Sequence, residues 1–122
     1  MPLKVLVVDD DVHLRRLMTI YLRDEGHDVA QAGGGEEALH LAAREHFDVA
    51  LVDLILPQYG GPRLCEKLKA LNAPPRVLIS SGDDSAPARE LARKSGSDDF
   101  LAKPFTREQL LHVIVSAKER SG

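Results

Sequence analysis

Short apolar runs punctuate the chain at Val5 to Val8, Val49 to Val52 and Val77 to Ile79, with weaker ones at Val29-Ala30 and Phe100-Leu101-Ala102. These runs are too short for helices and lack polar alternation, the pattern of strands buried on both faces and therefore of a parallel sheet. Between them, apolar positions fall at helical spacing. Leu14, Leu17, Met18, Tyr21 and Leu22 lie on one face of a predicted helix, and Gly26 supplies its stop. Leu64, Leu68 and Leu71 line a later helix that opens on Gly61-Pro62, with proline at the first position. Leu110, Leu111 and Ile114 line the last, which opens on a capping box, Thr106-Arg107-Glu108-Gln109. Strand then helix, repeated five times, predicts one doubly wound α/β domain over 1–122: a five-stranded parallel sheet with helices on both faces. Gly33-Gly34-Gly35 follows the second strand and lacks the G-x-G-x-x-G spread of a dinucleotide loop, so it reads as a turn.

Composition narrows the function. The 122 residues leave room for one folded unit and no output domain, and 43% hydrophobic with 29% charged residues is a globular balance. A net charge of −3 argues against direct nucleic-acid contact by this chain. No apolar run approaches the roughly 20 residues that cross a bilayer, and no leader opens the chain, which predicts a protein free of membranes. The lone Cys65 sits at core spacing and closes no internal disulfide, which fits a reducing, cytoplasmic setting. The five histidines show no metal-ligand spacing. Lys118-Glu119-Arg120 places cations at the end of the last helix.

Open α/β sheets bind ligands beyond the carboxyl ends of their strands. There the sequence places Asp9-Asp10-Asp11, Asp53, Ser80-Ser81 and Lys103-Pro104. Carboxylates gathered at one rim repel unless a cation sits among them, and hard oxygen donors suit Mg²⁺. Asp9 and Asp10 are expected at the rim, with Asp11 capping the next helix. Asp53 ends an apolar run where a charge needs a reason. Lys103, held extended by the following proline, can neutralise the acids or grip a phosphate. Ser80 and Ser81 point to opposite faces, so one serves the site, and the pleat alone does not say which.

Taken together, these segments resemble the receiver domain of two-component response regulators over essentially the whole chain. Val5 to Asp11 resembles the family's first strand and acidic pair, and Asp53-Leu54-Ile55-Leu56-Pro57 with Gly61 its phosphoacceptor loop. Ser81-Gly82 resembles its hydroxyl-then-small pair, and Gly96 to Phe105 its aromatic-to-lysine segment ending Lys-Pro-Phe. The resemblance implies a flavodoxin-like strand order 2-1-3-4-5. It implies that Asp53 accepts a phosphoryl group from a sensor histidine kinase, a histidine phosphotransfer protein or a small acyl phosphate. Asp9, Asp10, Asp53 and the Ile55 backbone carbonyl would hold Mg²⁺ or Mn²⁺. Ser81, chosen over Ser80 by the family spacing to Lys103, would contact the phosphoryl group, Lys103 would pair with it, and Phe100 would relay the change. Recognition would fall on the fourth helix, fifth strand and fifth helix, with an output partner or domain and a homodimer among the implied partners. Such a protein assists its own phosphotransfer and autodephosphorylation and is not a metabolic enzyme.

Some positions depart from the family pattern. Gly60 stands where many members carry Asp or Asn, and Glu108, Gln109 and Val113 stand where winged-helix regulators show the Arg-Glu…Arg series of a dimer. Ile55 would hinder water at the acceptor, whereas Asp83 would orient it. Two rival readings are weaker. A haloacid-dehalogenase-like phosphatase would use the D-x-D of Asp9-Asp10-Asp11, but Lys103 follows Gly82-Asp83-Asp84 instead of preceding it, and His13 stands in place of the usual Thr. A phosphorylation-independent docking module would need a broken site, and each main residue is present.

Overall fold

The structure, a computed structural model, describes residues 2–119. Strands and helices alternate as β1 (Lys4–Val8), α1 (Val12–Asp24), β2 (Asp28–Ala32), α2 (Gly35–Arg44), β3 (Val49–Asp53), α3 (Gly61–Lys69), β4 (Arg76–Ser81), α4 (Ala86–Lys94), β5 (Asp99–Ala102) and α5 (Arg107–Glu119). The five strands form one parallel sheet in the order β2-β1-β3-β4-β5.

The continuous apolar runs are explained by burial on both sides. Leu6, Val8, Ala50, Val52, Val77 and Ile79 pack against Ala38 of α2, Leu64 and Leu68 of α3, and Ala88 and Ala92 of α4. Their alternating neighbours Val5, Val7, Val49, Leu51 and Leu78 pack against Met18 and Leu22 of α1 and Leu110 and Ile114 of α5. Cys65 is buried in the first of these cores, as its spacing predicts.

Local signals stop and start the helices as expected. Asp11 accepts from the backbone N–H groups of His13 and Leu14 and caps α1. Gly26, at φ 89°, follows its C-cap Glu25. Thr106 Oγ1 accepts from Gln109 N at 3.1 Å while Gln109 Oε1 accepts from Thr106 N at 2.8 Å, a reciprocal capping box at the start of α5.

Three details differ from the sequence pattern. Leu17 is 43% exposed. The five apolar positions of α1 span a wider arc than the sheet covers, so Met18 and Leu22 take the core and Leu17 faces a surface groove. Helix α3 ends at Lys69, leaving Leu71 half-buried just beyond it. Lys118 pairs with Asp48 at 3.1 Å, and Arg120 lies outside the described residues. Among the described residues no helix is long and apolar enough to cross a membrane.

Candidate functional site

The carboxyl ends of β1, β3, β4 and β5 converge on one rim. Asp9, one residue beyond β1, is 1% exposed. Its Oδ1 accepts from Asp11 N at 2.9 Å and its Oδ2 from Lys103 Nζ at 3.0 Å. The Asp9 carbonyl oxygen accepts from Arg15 Nη1 at 2.8 Å, and Arg15 Nε donates to Gln31 Oε1 at 3.2 Å, so α1 anchors this turn to β2. Nothing in local spacing predicts this role for Arg15. Asp10 stays exposed, and Asp11 is turned away into its cap.

Asp53 ends β3 half-buried. Its Oδ1 accepts from Ile55 N at 3.2 Å, and its Oδ2 lies 3.4 Å from Lys103 Nζ. The returning chain passes close by: a Cβ on Gly61 would collide with the Asp53 carbonyl oxygen and stand 2.7 Å from that of Leu54, so only glycine fits there. The neighbouring Gly60 adopts φ 93°. Ile55, two residues past Asp53, is 71% exposed at the mouth of the site.

Oxygens of Asp9, Asp10 and Asp53 all lie within 4.8 Å of one another. Three hard donors, one of them open to solvent, suit a small divalent cation that keeps part of its water shell. The donor set therefore fits Mg²⁺ or Mn²⁺.

Burial raises the pKa of the Asp53 carboxyl, and the nearby Asp9 charge adds to this; the opposing pull of Lys103 and the Ile55 N–H does not cancel the rise. Burial alone would lower the Lys103 pKa, but the hydrogen bond to Asp9 and the charge of Asp53 outweigh it, so the ammonium is held more firmly protonated.

The serine pair divides as the pleat requires. Ser81 Oγ accepts from Asp83 N at 2.9 Å and shares the side of Ile79. Ser80 pairs in register with Asp53, is 2% exposed, and its Oγ has no hydrogen-bond partner. An unmet buried hydroxyl costs about 1–3 kcal/mol. Asp83 is exposed, and its Oδ1 accepts from Ser85 N at 3.0 Å, which holds its carboxyl below the usual range. Phe100 of β5 is half-buried on the side of the sheet that carries α4, with the Arg89 guanidinium 4.6 Å from its ring centroid. Arg89 Nε also donates to the Asp84 carbonyl oxygen at 3.2 Å, tying α4 to the loop after β4.

Beside Lys103 runs an apolar groove of about 560 Å³, lined by Leu14, Leu17, Tyr21, Gly82, Lys103, Pro104 and Phe105. The sequence reading assigned Leu17 to the core and so did not foresee this groove.

A parallel sheet of this order with an acid-and-lysine rim is the architecture of a phosphate-handling signalling module. The chain belongs to the response regulator receiver domain family, whose sequence model matches residues 5–115. It is similar to the DNA-binding response regulator MtrA of Mycobacterium tuberculosis, strain H37Rv, with 38% identity over 118 residues, 97% of this chain and 51% of MtrA. It is also similar to the transcriptional regulatory protein ResD of Bacillus subtilis, with 33% identity over 90% of this chain and 46% of ResD. The chain spans about half the length of the curated relatives it matches. Among solved structures, the CheY-like receiver domain protein of Methanospirillum hungatei superposes with a TM-score of 0.90 at 28% identity, covering 100% of both chains.

Proposed function

We propose that this chain is the phosphoacceptor switch of a two-component system, with Asp53 as the acceptor. One observation carries the reading: Lys103 Nζ stands 3.0 Å from Asp9 and 3.4 Å from Asp53, a cation fixed beside a half-buried carboxylate at the rim of the sheet. In the transfer, an Asp53 oxygen bonds to phosphorus as the bond from phosphorus to the donor's histidine nitrogen, or to an acyl oxygen, breaks. Phosphoryl transfer asks the protein mainly for position and countercharge. Lys103 supplies the protein's cation, and the Ile55 N–H orients the acceptor. A divalent ion held by Asp9, Asp10, Asp53 and the Ile55 carbonyl would supply further positive charge to the transferring oxygens.

The donor is a sensor histidine kinase or histidine phosphotransfer protein. It would dock where exposed apolar side chains flank the acceptor: the groove at Leu14, Leu17 and Phe105, continued by Ile55 on the other side. Once formed, the phosphoryl group draws Lys103 and Ser81 into charge-assisted contacts and biases the β4–α4 loop and Phe100. Moving a two-state element from 1:99 to 99:1 takes about 5.5 kcal/mol, within reach of a few such contacts. The output lies in a partner or in further chain, and the setting is cytoplasmic.

The test is intact mass after incubation with acetyl phosphate, with and without Mg²⁺. A Mg²⁺-dependent phosphoryl increment in the native chain, absent in Asp53→Asn, is expected. No increment under any condition would favour the docking-module reading instead, and turnover of acetyl phosphate that survives Asp53→Asn would favour the phosphatase.

A further inference from the structure

Ser80 is the buried polar group that the proposed chemistry leaves without a task. Three observations place it. First, sidedness: Leu51, Leu78 and Leu101 belong to the core on the α1 and α5 side, so strand alternation puts Asp53, Ser80 and Lys103, each two residues further on, on that same side. Ser81 lies on the other. Second, level: Asp53 pairs with Ser80 across β3 and β4, and Ser80 with Leu101 across β4 and β5. Third, path: β4 separates β5 from β3, so the Lys103 side chain must cross over β4 above Ser80 to bring its ammonium to Asp53.

A serine here is costly unless its hydroxyl is used, because its flanking partners Leu78 and Leu101 make an apolar side chain the simpler filling. Lys103 carries three N–H donors, and Asp9 and Asp53 occupy two of them. Adjacent strands lie about 4.8 Å apart, so one χ1 change of Ser80 spans the remaining gap.

Resting on the phosphoacceptor reading, we propose that Ser80 is a positioning residue for Lys103. When an Asp53 oxygen is taken into the bond to phosphorus, Lys103 turns toward the phosphoryl oxygens, and Ser80 Oγ accepts the N–H that is released. The lysine is thereby aimed at the phosphoryl group without falling back on Asp9. Ser81 does not substitute, since it faces the opposite side and already accepts from Asp83 N.

The experiment follows uptake and decay of the phosphoryl group from acetyl phosphate with saturating Mg²⁺. It compares the native chain, Ser80→Ala, Ser80→Thr and Ser80→Cys, each also in a Lys103→Ala background, together with thermal midpoint and Mg²⁺ affinity. Ser80→Ala is expected to take up the group 5- to 10-fold more slowly, with Mg²⁺ affinity unchanged and a thermal midpoint equal to or above the native one. A purely structural serine would not give slower chemistry with undiminished stability. Ser80→Thr restores the rate to within twofold, and Ser80→Cys, similar in volume but a weak acceptor, repeats the loss. In the Lys103→Ala background the Ser80 substitutions have no further effect. Native rates in Ser80→Ala and Ser80→Cys, or a loss that persists without Lys103, would overturn the role of Ser80 alone. No uptake by the native chain would overturn the phosphoacceptor reading, and this role with it.

Discussion

Lys103 and Asp9 are 94 residues apart in the chain and 3.0 Å apart at the rim. The contact joins the edge strand β5 to β1 across two intervening strands and leaves a 2%-exposed carboxylate with a fixed countercharge. The acceptor Asp53 lies within the same arrangement, 3.4 Å from the same ammonium.

Lys103→Ala removes that countercharge from a buried acid. Breaking a buried pair by deleting one partner costs about 3–5 kcal/mol. Chemical denaturation without divalent ions should show a loss of that order, and Mg²⁺ should recover more stability in the variant than in the native chain, because it neutralises the same carboxylates. A loss indifferent to Mg²⁺ would mean that Asp9 and Asp53 do not form the cation site.

Gly61→Ala forces a Cβ against the Asp53 carbonyl oxygen, whereas Gly82→Ala meets nothing within 4 Å. Overpacking of this kind costs about 1–3 kcal/mol. The first variant should melt lower and take up phosphate more slowly, and the second should keep the native melting temperature. Equal melting of the two would contradict the close approach of the loop to β3.

His27 is buried, and its Nδ1 accepts from Leu3 N at 3.0 Å, fixing the start of β1 against the α1–β2 turn. Burial lowers its pKa, with Glu25 opposing more weakly. The unfolded ring, with a pKa near 6.5, therefore binds the proton before the folded one. Stability contributed by the neutral ring is complete above about pH 6.5 and falls as pH drops through and below that value. In His27→Asn, which keeps an acceptor but does not titrate, the pH-dependence of the unfolding free energy between pH 7 and pH 5 should be shallower than in the native chain.

Ile55 exposes 71% of its surface beside Asp53, so its substitution barely touches the core. Ile55→Glu replaces a water-excluding group with one that can hold water near phosphorus. Loss of the phosphoryl group, followed by mass after removal of acetyl phosphate, should quicken several-fold, with folding stability changed by less than about 0.5 kcal/mol. An unchanged decay rate would remove Ile55 from the control of lifetime.

The element order was legible because strands buried on both faces leave continuous apolar runs, and caps such as Asp11 and the Thr106 and Gln109 pair announce themselves locally. The rim was legible for the same reason, since Asp9, Asp53 and Lys103 each interrupt or end such a run. Contacts set by tertiary packing were not legible. Asp98 accepts from Lys69 at 2.7 Å, Arg76 at 3.3 Å and Val77 N at 2.8 Å, partners 21 to 29 residues away with no shared periodicity. Leu17 read as core because helical spacing shows an apolar arc but not how much of it the sheet covers. The pleat separated Ser80 from Ser81 in the sequence, but only the register showed that Ser80 lies level with Asp53.

The most direct test is to locate the phosphoryl group. After incubation with acetyl phosphate and Mg²⁺, reduction of the acyl phosphate with borohydride converts the acceptor aspartate to homoserine, and peptide mass spectrometry then reads its position. The predicted result is conversion at Asp53 and nowhere else. Conversion at Asp9 or Asp10 in its place, or none in a chain that has gained phosphoryl mass, would contradict the assignment of Asp53 as the acceptor.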